Sequence, residues 1–169
     1  MNLNFKRMCL GSLLMFAVLF FSLPLTAKGL DENEELTDYI SKVCKRNCVD
    51  PQLLLMAVQA ASLEYNVSPK QILAIMRVES SFVVKAKNSR SVGLMQVNLK
   101  YHAKSFRASP YDVFENVDTG TSIYNACLKK KRGDVPKALR CYNGEGKQNV
   151  AYSNKVLKAL SELKSISIT

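Results

Sequence analysis

Twice within twenty residues the chain writes a capped helix opening. Asp50-Pro51 and Ser68-Pro69 each put a side-chain oxygen at an N-cap and a proline at the first helical position, where its missing N–H costs nothing. Gln71 adds a capping-box partner to the second opening. These signals commit Gln52 to Tyr65 and Pro69 to about Phe82 to helices. The surrounding apolar residues keep the same period. Leu36, Tyr39, Ile40 and Val43 follow an acidic start at Asp31 to Glu35, and Val117, Thr121, Tyr124 and Leu128 form a later stripe. Val135 to about Tyr142 reads as a short helix, and Val150, Val156, Leu157, Leu160 and Leu163 outline a last one. Residues 85–112 are polar and irregular, broken by Gly93 and Pro110. No alternating run is long enough for a sheet, so the expectation is one mostly α domain.

The N-terminus has the layout of a secretory signal peptide. Lys6 and Arg7 precede an uncharged apolar run from Leu10 to Leu23, and Pro24-Leu25-Thr26-Ala27 offers a small-residue cleavage site. Pro24 and the acids soon after it leave the run short for a membrane anchor. Removing residues 1–27 leaves 142 of the 169 residues and lowers the formal charge from +10 to +8. It also removes Cys9 and leaves four cysteines, an even number that reads as two disulfides in an oxidising compartment. The expected location is a bacterial periplasm.

Four cysteines allow three pairings. Cys127 and Cys141 lie equally far from the turn at Gly133-Asp134, and such positions face each other in an antiparallel helical hairpin. Pairing them leaves Cys44 with Cys48. That second bridge is harder to form, because cysteines four apart in a regular helix meet disulfide geometry poorly.

Charge and composition narrow the partners. A +10 chain favours acidic ligands, but the basic run at 129–132 reads first as a solvated helix end. No helix interleaves basic and aromatic residues for nucleic acid, so none is expected. His102 is the one histidine, which excludes a zinc site built on two.

One residue breaks the pattern. In the helix opened by Pro69 the apolar stripe runs Ile72, Ile75, Met76 and then Glu79, while Arg77 lies off it and can reach solvent. A carboxyl on a buried stripe has its pKa raised by desolvation, the property a general acid needs. The alternative is a satisfied structural acid paired with an arginine or a backbone amide. No Asp or Glu follows from Ser80 to Tyr111, so the usual two-carboxylate glycosidase arrangement has one good candidate here.

Three segments in order then carry a resemblance. Arg77-Val78-Glu79-Ser80-Ser81-Phe82, Gly93-Leu94-Met95-Gln96-Val97-Asn98 and Cys141-Tyr142-Asn143-Gly144 are similar to the motifs of the soluble lytic transglycosylase domain. The similarity runs from about Tyr65 to about Leu160. It implies a goose-type-lysozyme-like helical domain with a glycan-binding groove, divided as a 1–27 leader, N-terminal helices at 28–64 and a catalytic domain at 65–169.

The resemblance implies that Glu79 protonates the glycosidic oxygen between N-acetylmuramic acid and N-acetylglucosamine. The same carboxylate would then deprotonate the muramoyl 6-hydroxyl to close a 1,6-anhydro ring. Ser80 would orient Glu79, Met95 and Gln96 would contact sugar, and Gly93 would allow close approach. Tyr142 would stand beside the Glu79 carboxyl, and Asn143 would support the groove. Each has a plainer reading: Leu94 and Met95 as core, Gly93 as a turn residue, Tyr142 as an ordinary core-edge tyrosine. The chain departs from the family in having Cys141 where alanine is usual, and in a short loop between Glu79 and Gly93. The implied partner is the peptidoglycan glycan strand, met by a monomer without cofactor or metal. Small single-domain members often accompany secretion, conjugation or pilus machinery that crosses the wall. Two other readings remain open at this point: a hydrolytic muramidase on the same bond, and a basic wall-binding protein without activity.

Overall fold

The computed structural model describes residues 27–144 and 149–166. The expected signal peptide therefore lies outside the described residues, except that Ala27 opens the first helix. The elements in order are α1 Ala27–Val43, α2 Pro51–Tyr65, α3 Pro69–Glu79, β1 Ser91–Val92, β2 Val97–Asn98 and α4 Leu99–His102. A 3₁₀ turn at Ala103–Ser105 leads to α5 Val113–Lys130, α6 Val135–Tyr142 and α7 Asn149–Ser165. The domain is mostly α. Among the described residues no helix is long and apolar enough to cross a membrane.

Packing places α5 in the middle. It carries α2 on one side and α6 on another, while α7 lies against both α3 and α6. One hydrophobic core runs from Leu36 of α1 to Leu163 of α7, so residues 28–64 and 65–169 share it. Three helix openings follow the same chemistry. Asp50, Asp112 and Asp134 accept from the backbone N–H of Leu53, Glu115 and Lys137 at 2.8–3.0 Å. Ser68 departs from the capping-box expectation: its hydroxyl makes no cap bond, because the Gln71 N–H goes to the Ser68 carbonyl at 3.0 Å.

Two further expectations need correction. The helix opened by Pro69 stops at Glu79 rather than Phe82, since Ser81 and Phe82 take left-handed φ values of 50° and 65°. Non-glycine residues hold that conformation only when their surroundings fix it. Here the Val49 N–H donates to the Phe82 carbonyl at 3.2 Å, and the Tyr39 ring meets Phe82 edge-on at 6.3 Å. On α7, Val150 faces outward, and Tyr152 and Ser153 turn inward with Val156 and Leu160. A small antiparallel hairpin, β1 with β2, also interrupts the helices; two-residue strands are too short to leave an alternating signature.

The structure joins Cys44 to Cys48 and Cys127 to Cys141, each with Cα atoms 5.7 Å apart. Cys44 and Cys48 escape the difficulty of a bridge within a helix because α1 ends at Val43 and the pair closes the turn before Asp50. The second bridge ties α5 to α6.

Gly120 sets how closely the hairpin loop approaches α5. A Cβ there would stand 2.5 Å from both Cβ and Sδ of Met95. Alanine would gain about 1 kcal/mol of helix propensity but overpack the contact at a cost of about 1–3 kcal/mol. Gly120→Ala should therefore lower the thermal midpoint. A midpoint equal to or above wild type would show that Met95 is free to move away.

Candidate active site

Glu79 is the last residue of α3, so its side chain leaves the buried face where the helix stops. Behind it Ile72, Ile75 and Met76 are fully buried. In front lies a cleft of about 430 Å³, whose walls include Asn88, Ser91, Gln96, Asn98, Tyr101, His102, Tyr142 and Asn143. Among the described residues Glu79 is the one carboxylate that lines it. Burial pushes its pKa from 4.5 up to about 7, against the pull of a hydrogen bond from Tyr152. That bond runs from Tyr152 Oη to Glu79 Oε1 at 2.7 Å. Burial and the Glu79 charge hold the Tyr152 hydroxyl far above its ordinary range, so it stays a donor. Near neutrality the carboxyl can therefore both release and accept a proton.

The wall opposite Glu79 is the loop from Gly93 to Gln96, and it is tied from several sides. Asn116 of α5, 1% exposed, accepts from the Met95 N–H at 2.8 Å. It donates to the carbonyls of Val92 at 3.1 Å and Pro110 at 2.8 Å. Gly93 has φ +80°, and a Cβ at this position would overlap the Asn116 side chain. Gln96, itself at φ 49°, donates to the carbonyls of Ala86 and Gly93 at 3.0 and 2.9 Å and accepts from Asn88 at 3.1 Å.

The sequence expectations sort as follows. Glu79, Gln96, Tyr142 and Asn143 come together in the cleft. Ser80 does not reach the Glu79 carboxyl; its hydroxyl donates to the Leu94 carbonyl at 2.8 Å and so pins the loop to the end of α3. Met95 offers the cleft no side-chain surface, because its side chain is fully buried against Gly120 and Thr121. Tyr142 stands near enough for the Glu79 charge to raise its pKa, but its hydroxyl donates to the Met95 carbonyl at 2.7 Å. The hydroxyl on Glu79 belongs to Tyr152. Arg77 is half-buried rather than free in solvent, with Nη1 reaching Ser81 Oγ at 3.5 Å.

The Transglycosylase SLT domain model matches residues 56–163, well over half of the chain. The chain belongs to the SLT transglycosylase family. The match begins inside α2, so the SLT unit takes in most of that helix as well as everything from α3 to the end of the core. Membership makes peptidoglycan the substrate class and transglycosylation the class of activity. Among the described residues no group of three His, Cys, Asp or Glu side chains is placed to hold a metal ion.

Two residues of this SLT site escaped the sequence reading. Tyr152 is a tyrosine on the inward stripe of α7, spaced four and seven residues from Val156 and Ala159. A tyrosine on a core-facing stripe needs a partner for its hydroxyl, which was the available signal. Asn116 gave a weaker one, as an amide one step from the apolar stripe beginning at Val117.

A carboxyl with a folded pKa above its unfolded value keeps its proton between pH 4.5 and 7 while the unfolded chain releases it. Stability contributed by Glu79 therefore falls as pH rises through that window, by up to about 3 kcal/mol. Glu79→Gln should melt higher than wild type at pH 8, with the gap closing by pH 4.5. A gap independent of pH would contradict the shift. Tyr152→Phe removes the bond that lowers the Glu79 pKa. Its alkaline limb of kcat/KM should move to higher pH than the wild-type limb near 7. An unmoved limb would separate Tyr152 from the acid.

Proposed function

We propose that this protein is an exported lytic transglycosylase that cuts the β-1,4 bond between N-acetylmuramic acid and N-acetylglucosamine. The neutral Glu79 carboxyl gives its proton to the glycosidic oxygen as the C1–O bond breaks. The resulting carboxylate takes the proton of the muramoyl 6-hydroxyl while O6 bonds to C1, and Glu79 ends the cycle protonated. No water enters. The Tyr152 hydroxyl steadies the carboxylate between the two steps, and Gln96, Tyr142 and Asn143 shape the cleft that holds the sugar.

The observation that carries this reading is that Glu79, largely buried, is the one carboxyl lining the cleft among the described residues. A two-carboxylate hydrolase needs its second group about 5–9.5 Å from the first. A single group with a pKa near 7 suits a reaction in which one residue serves as acid and then as base. Export to a periplasm is part of the proposal, supported by the basic start, the apolar run and the small residues before Lys28, and by the two disulfides. A role in opening the wall for a secretion, conjugation or pilus apparatus is part of the proposal, supported by the resemblance to small single-domain members of the family.

Digestion of purified wall tests the chemistry. The expected product ends in 1,6-anhydromuramic acid, one water lighter than the hydrolysed end. A hydrated end would make the protein a muramidase, and binding without product would make it a wall-binding protein. Glu79→Gln should reduce turnover by at least about 10²–10⁴-fold, the usual contribution of a general acid–base group.

A further inference from the structure

The catalytic cleft does not end at its own walls. His102, Ile123 and Cys141 border both it and a second cavity of about 440 Å³. Tyr65, Ser105, Asp118 and Thr119 in turn border that cavity and a third of about 520 Å³ between α2 and the start of α5. The chemistry changes along this path. Around Glu79 the walls are amides, hydroxyls and rings, suited to neutral sugars. Farther on come Asp118, Glu64 and Glu115 together with Lys130 and Arg107. Charges of both signs favour a ligand that carries both.

We infer that the two cavities take the peptide borne by a sugar in the cleft, a short chain with free carboxylates and a free amine. This rests on the transglycosylase reading and adds to it a preference for peptide-bearing strands. Asp118 stands where the two cavities meet, and the Tyr65 hydroxyl donates to it at 2.9 Å. A carboxylate fixed beside an aromatic ring is a suitable seat for an ammonium group. Glu115 is already engaged, accepting from the N–H groups of Arg107 and Ala108 at 2.9 and 3.2 Å. That contact fixes the Arg107 backbone at the wall of the far cavity, where its guanidinium is available to a carboxylate of the peptide. Phe114, 40% exposed, closes this end. The lengths agree. Ile123 at the cleft edge and Phe114 are nine residues apart on α5, a rise of about 13 Å. Four extended peptide residues span at most about 13–14 Å.

The test measures KM and kcat on muramoyl tetrasaccharides that carry tetrapeptide stems, and on the same sugars after an amidase has removed the stems. Wild type should show a KM about tenfold lower on the stem-bearing substrate, about 1.4 kcal/mol of extra binding. Asp118→Asn combined with Arg107→Gln should bring that KM to within about twofold of the stripped substrate. Turnover of both substrates by wild type with equal KM overturns the inference alone, even if the double variant fails to fold. A double variant whose KM rises equally on both substrates also overturns it, because the path would then bind glycan. Turnover of neither substrate by wild type overturns the transglycosylase reading and this inference with it.

Discussion

The cleft depends on one constraint: the Glu79 carboxyl is kept from water at the point where α3 ends. Two opposed effects fix its affinity for a proton. Desolvation raises the pKa and the Tyr152 hydrogen bond lowers it, and the balance stands at about 7 against 4.5, a net cost to ionisation of about 3 kcal/mol. Had the bond dominated, the acid would be ionised at neutrality; without it, the carboxylate left after proton transfer would lack its nearest donor. Both effects come from packing, because α3 lies against α7 and α7 supplies Tyr152.

The opposite wall is held just as firmly, and for a reason of scale. A hairpin of two-residue strands has no stability of its own. Its place is set by Asn116 of α5 and Tyr142 of α6, which bond the N–H and the carbonyl of Met95, and by Ser80 after α3, which bonds the Leu94 carbonyl. The Cys127–Cys141 bridge joins two of those three supports. Close approach to α5 is possible because residue 120 is glycine and Met95 fills the space above it. Met95, conspicuous in the sequence motif, thus contributes by filling the core and through its carbonyl rather than by touching sugar.

Legibility in the sequence followed the range of the interaction. The proline openings, the Asp50 cap and the helical stripes are local, and they gave the helical domain. Glu79 stood out because it occupies a position that local periodicity assigns to an apolar residue. Tyr152 lies 73 residues away and touches Glu79 only after α7 folds back on α3. Nothing in local spacing could join the two, and the motif tyrosine, Tyr142, drew the expectation instead. The family resemblance implies that Ser80 orients the acid, yet at the helix end its hydroxyl turns toward the Leu94 carbonyl. Val150 was misjudged because α7 begins at Asn149, and a residue in the first turn can miss the core that its later neighbours reach.

The proposed chemistry rests on a proton held by one side chain, and that proton can be followed directly. Carbon-13 NMR titration of the Glu79 carboxyl in the folded protein, with Glu79→Gln identifying the signal, reports its affinity without reference to turnover. The account predicts a midpoint near pH 7. A midpoint near 4.5, the value of an exposed carboxyl, would leave Glu79 ionised at neutrality and contradict the account at its centre.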